Sequence, residues 1–125
     1  MPVIRTTGSR RTETPNAVMT TLASPTLGGA EQSLWRVDMH PGTAGPLHIF
    51  DAEQIWSVVA GGATVELDGE TFGVEPGDTV IMPPAVPRQV TAHPQAGFAA
   101  VVTASGGARA TLADGTDKDV PPWIA

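Results

Sequence analysis

The sequence predicts an all-β fold, and three observations carry that reading. Fourteen glycines and twelve prolines punctuate the 125 residues every few positions, and no segment sustains a helical period over about ten positions. Several short runs alternate apolar and polar residues, as half-buried strands do. Finally, Asp68-Gly69 stands between Val65-Glu66-Leu67 and Thr71-Phe72. Both central residues accept the positive φ of a type I′ turn, so this is a two-residue hairpin signal. Short strands with turns this frequent make a β-sandwich or a small barrel.

Taken in order, residues 1–16 form a polar N-terminal arm containing the only basic cluster, Arg5, Arg10 and Arg11. The arm is expected either to move freely or to pair with a second subunit. Strands are predicted at 17–23, 33–40, 54–60, 63–68, 70–74, 79–82, 88–92, 98–104 and 108–112. In the second, Trp35, Val37 and Met39 share one face and Arg36, Asp38 and His40 the other, so the apolar face is the inner one. Gln54, Trp56 and Val58 share a face of the third, and Val65 and Leu67 oppose Glu66 in the fourth. His48 and Phe50 lie on one side of their own segment. Gly61-Gly62 and Gly106-Gly107 read as turns. The barrel thus spans 17–112, and a tail, 113–125, ends in Pro121-Pro122-Trp123-Ile124, too apolar to float freely. It is expected to dock on the barrel or on a neighbour.

Composition excludes several functions. A formal charge of −6 with a pI near 4.8 argues against a nucleic-acid footprint, which needs a basic face. Without cysteine there are no disulfides, thiolate nucleophiles or thiolate zinc sites. No apolar run approaches the ~20 residues of a membrane span, and no cleavable leader is visible. A cytoplasmic protein is expected. Gly-rich phosphate loops, nucleophile-elbow serines and paired metal-ligand histidines are absent.

Gly42, His48, Phe50, Gln54 and Gly61, followed by Gly77-Asp78, Pro83, Ala85 and Arg88, have the spacing of a two-motif pattern. It resembles that of the cupin superfamily, over roughly residues 34–102. There is one motif pair, hence one unit and no internal repeat. The resemblance implies a cupin jelly-roll β-barrel, the double-stranded β-helix. It also implies a metal held by three imidazoles and a carboxylate, at the positions of His48, Phe50, Gln54 and Arg88. Ala85 stands where the family usually has Gly. One imidazole survives. Phe50 donates nothing, Gln54 offers a neutral carbonyl, and Arg88 has no lone pair. A guanidinium about 5 Å from a dication at an effective dielectric of 20 is repelled by roughly 6–7 kcal/mol. No metal or other cofactor is expected, unless His40 and His93 supply relocated ligands.

The site residues keep two readings each. His48 is a general acid or base, or a buried neutral imidazole bonded to Gln54 or a backbone carbonyl. Arg88 points inward as an anchor for an anion, or lies along the wall and pairs with Asp51 or Glu53. Gln54, facing inward, needs partners, which His48, Arg88 or a ligand would supply. Phe50, Trp56, Met82 and Trp35 are ligand-contacting or core. The leading expectation is a metal-free pocket for a small organic, anionic ligand, in an isomerase-, epimerase- or cyclase-like enzyme. There His48 moves a proton next to a carbonyl, and Arg88 or Gln54 holds the oxyanion. The alternatives are a non-catalytic binding or sensing module and a metal-dependent oxygenase with relocated ligands. A homodimer is expected in each case, with neither nucleic acid nor membrane as partner.

Overall fold

Alternating burial organises the chain into two facing antiparallel sheets, seen in a computed structural model that describes residues 3–125. A 3-10 turn at Thr6–Gly8 precedes the strands: β1 (Arg10–Glu13), β2 (Val18–Ala23), β3 (Gln32–Met39), β4 (His48–Phe50), β5 (Gln54–Gly61) and β6 (Ala63–Leu67). There follow β7 (Glu70–Val74), β8 (Thr79–Met82), β9 (Arg88–Ala92), β10 (Phe98–Ser105), β11 (Ala110–Leu112) and β12 (Asp117–Asp119). One sheet has the order β1-β2-β3-β10-β5-β8 and the other β12-β11-β4-β9-β6-β7, the jelly roll expected from the motif spacing.

The inner face of the first sheet is written by period two. Trp35, Val37 and Met39 on β3 and Trp56 and Val58 on β5 are buried, and β10 adds Ala100, Val102 and Ala104 between them. Across the barrel, Phe50, Val65, Val90 and Ala92 complete the core. The Asp68-Gly69 turn forms as expected, with φ of 50° and 82°, and joins β6 to β7 in register. At the end of β5, Gly61 has φ 67°, and a Cβ there would collide with Gly97 O, so only glycine closes that corner. Ala85 also sits at positive φ, 66°, where its N–H donates to Phe50 O at 2.8 Å. That turn binds the β8–β9 connection to the end of β4.

Three strands escape sequence patterning. β4 is three residues long, and β1 and β12 are polar edge strands with little or no apolar face. Pairing with β2, and with β11 and β9, makes them strands. Within the segment read as an arm, Arg10–Glu13 therefore extends the first sheet of its own chain. His40, placed at the end of a strand, falls just beyond β3, and 108–109 precede β11.

The tail docks on its own barrel. Ile124 is fully buried, Ser33 Oγ donates to Ile124 O at 2.5 Å and Thr21 Oγ1 to Trp123 O at 2.8 Å. No helix among the described residues is long and apolar enough to cross a membrane.

Candidate functional site

A cavity of about 340 Å³ opens between the two sheets. Its walls are Trp35, Val37 and Met39 from β3, His48 and Phe50 from β4, Gln54 and Trp56 from β5, and Val90 from β9. Pro121, Pro122 and Trp123 of the tail and Lys118 of β12 border it as well. Strand alternation delivers the first group to the interior and the buried Ile124 fixes the second. The space is mostly apolar, with a few polar groups, as small-molecule sites are.

His48 is half-buried in this wall. Its Nδ1 lies 2.6 Å from Pro46 O, and a carbonyl only accepts, so Nδ1 carries the proton and Nε2 keeps its lone pair. The ring stands edge-on to Phe50, centroids 5.1 Å apart. Burial lowers the imidazole pKa below its ordinary value. The bond to Pro46 opposes that shift and the charge of Arg88 adds to it. His48 is thus a neutral acceptor at pH 7.

Gln54 is buried at 1% exposure, and its amide orientation is settled by a neighbour. Trp56 Nε1–H donates to Gln54 Oε1 at 3.0 Å. An indole N–H has no acceptor capacity, so the amide cannot be flipped. Gln54 Nε2 is left buried without a partner among the described residues. Trp56 is itself held by stacking on Phe98, with centroids 6.2 Å apart.

Arg88 and Met82 do not line the cavity. Met82 is fully buried core beside Gln54, its strand partner. Arg88 is equally buried, paired across β4–β9 with His48. It follows neither of the two orientations read from sequence. Its Nε donates to Val86 O at 3.0 Å and its Nη2 to Pro83 O at 2.6 Å, and its Cζ lies 5.6 Å from the centre of the Phe50 ring. The wall-strut pairing with Asp51 or Glu53 is not made. Asp51 instead accepts from Arg109 N at 2.8 Å, while desolvation pulls the Arg88 pKa down to about 10.

The residues present do not fit the metal that the motif spacing implies. Among the described residues no group of three or more His, Cys, Asp and Glu could hold an ion. His93 accepts from Gln95 N and Ala96 N through Nδ1, about 16 Å along the chain from Arg88 at the rise of a strand. Neither His93 nor His40 borders the cavity.

Among the cavity-lining residues not anticipated as site residues are Lys118 and Trp123. The apolar tail sequence signalled that Trp123 must be covered but not by what. Lys118 lies on β12, which is exposed throughout and leaves no pattern to read.

A family model described as the cupin domain matches residues 35–104. The chain belongs to the cupin family. Among solved structures, this cupin resembles an RmlC-like cupin from Shewanella frigidimarina, with 20% identity, TM-score 0.72, and coverage of 84% of this chain and 90% of that one. It also resembles a polyketide cyclase from Streptomyces resistomycificus, with 21% identity, TM-score 0.71, and coverage of 84% and 79%. A third is the DMSP lyase of Ruegeria pomeroyi, with 21% identity, TM-score 0.72, and coverage of 86% and 62%. Similarity at this level establishes a shared fold. No curated protein matches the sequence at a significant level.

Proposed function

We propose that this cupin is a metal-independent proton-transfer enzyme of the isomerase, epimerase or cyclase kind, acting on a small, largely apolar organic carbonyl compound. The observation that carries the reading is that one apolar cavity is lined both by His48, whose Nε2 is a free acceptor with its tautomer set by Pro46, and by Gln54, whose buried Nε2 has no partner among the described residues. In the first step Nε2 takes a proton from the carbon next to the carbonyl and the electron pair moves to oxygen. Gln54 donates to that oxygen. Returning the proton to the other face or to another atom completes an epimerisation or isomerisation. Attack of the carbanion carbon on a second carbonyl of the same molecule, with the proton on His48 Nε2 passing to the new alkoxide oxygen, completes a cyclisation. No oxidant or reductant is consumed. A polyketide cyclase among the structures of like fold acts on a substrate class that would suit such a wall.

The test is exchange of carbon-bound hydrogen for deuterium, followed by NMR, in a panel of apolar ketones such as 2-tetralone and 1-indanone. Wild type should accelerate exchange on at least one of them and His48→Phe should not, while Gln54→Leu should slow it by about ten- to a thousandfold. Absence of acceleration across the panel, or acceleration that survives in His48→Phe, sinks the proposal. One observation favours a second reading, a non-catalytic binding module. Burial and Arg88 weaken His48 as a base, which suits hydrogen bonding to a ligand hydroxyl better than removal of a carbon-bound proton. Saturable binding of the same ketones without exchange would decide for it.

A further inference from the structure

The barrel buries a positive charge with nothing negative beside it. Arg88 is fully buried, and both of its hydrogen bonds end on neutral carbonyls, those of Val86 and Pro83. Nη1 has no partner. None of the ion pairs among the described residues includes Arg88, although the chain has 13 acidic residues. Charged side chains are almost never fully buried unless paired. The Phe50 ring under the guanidinium offsets part of the cost by cation–π attraction, but it accepts nothing from Nη1.

Gln54 Nε2 is a second buried donor without a partner. The two are connected through the fold. Arg88 Nη2 holds Pro83 O, Pro83 follows Met82, and Met82 is the strand partner of Gln54. On its other side Arg88 is the strand partner of His48, and Phe50, on which its head group rests, is a wall of the cavity. Two buried donors without partners, one of them charged, are groups of the kind that hold an oxyanion.

We infer that Arg88 Nη1 and Gln54 Nε2 form an anion subsite at the Phe50 wall of the cavity, which takes a carboxylate or the enolate oxygen of the proposed reaction. The inference rests on the cavity reading above, but binding alone tests it. Phe50, which packs against the guanidinium and itself lines the cavity, is the side chain that must yield when an anion reaches Arg88.

The probe is benzoate against its neutral isostere benzamide, titrated calorimetrically into the full-length protein in chloride-free buffer. Benzoate should bind about tenfold or more tightly than benzamide, and should shift the Gln54 side-chain amide signal in nitrogen-resolved NMR. Arg88→Met and Gln54→Leu should each bring the ratio towards one, while Lys118→Met, at the cavity border, should leave it unchanged. Equal affinities in wild type, no binding of benzoate, a ratio that persists in Arg88→Met or Gln54→Leu, or a ratio lost in Lys118→Met overturns the inference. If Arg88→Met does not fold, Gln54→Leu and Lys118→Met decide. Benzoate selectivity without ketone exchange sinks the catalytic reading and leaves the subsite standing. Exchange without benzoate selectivity does the reverse.

Discussion

His48 couples the chemistry of the cavity to pH. Its folded pKa lies below the ordinary value of 6.5, so in the window between the two the unfolded chain holds a proton that the folded chain does not. Stability therefore falls as pH drops through that window and is independent of His48 above it. The proton-accepting form follows the same curve, so exchange activity should be flat at neutral pH and decline only in acid. The check is the difference in unfolding free energy between wild type and His48→Phe as a function of pH. It should be constant above about 7 and shrink below 6.5; a difference that grows on acidification contradicts a depressed pKa. The residues themselves were legible to different depths. His48, Phe50, Gln54, Trp56 and Trp35 all reach the cavity wall, because strand alternation decides inside from outside and is written in the sequence. Arg88 was not legible beyond its position. Its direction is set by the carbonyls of Pro83 and Val86 in a turn, and backbone acceptors have no sequence signature.

At the scale of elements, the long central strands β3, β5 and β10 followed from their apolar periodicity, whereas β1, β4 and β12 exist through their partners. A polar tetrapeptide such as Arg10–Glu13 is indistinguishable from a loop until β2 offers it a ladder. The tail shows the converse case. Its apolar residues announced that it must be covered, and side-chain donors on two strands, Thr21 on β2 and Ser33 on β3, fix it over the barrel by gripping its carbonyls. Ile124 is the plug in that arrangement, with no exposed surface. Ile124→Ala should cost about 2–4 kcal/mol of unfolding free energy, measured by denaturant titration. It should also loosen Trp123 at the cavity border, so that Trp123 becomes more accessible to acrylamide quenching than in wild type. A cost below about 0.5 kcal/mol would mean that the tail lies on the barrel without stabilising it.

For the molecule as a whole, the outer face of the first sheet is where a second copy is expected to sit. Ile81 on β8 is 58% exposed and Val59 on β5 45% exposed. Ile55 lies directly across from Ile81 in the ladder, and Val101 continues the same face on β10. β8 is moreover the edge of its sheet, with no charge or proline inside its four residues, and such edges invite pairing unless they are covered. The tail cannot provide the cover, because it is committed to the barrel interior of its own chain. We therefore expect a homodimer formed through this face, with light scattering at micromolar concentration giving twice the chain mass. Ile81→Lys places a charge at the centre of the patch and should yield a monomer with an unchanged thermal midpoint for the isolated barrel. Ile124→Ala, which acts on the opposite face of that sheet, should leave the association intact. If the wild type is monomeric, the face is simply solvated. If Ile124→Ala dissociates the dimer and Ile81→Lys does not, the contact runs through the tail and the barrel mouth, and the cavity would then open towards the partner.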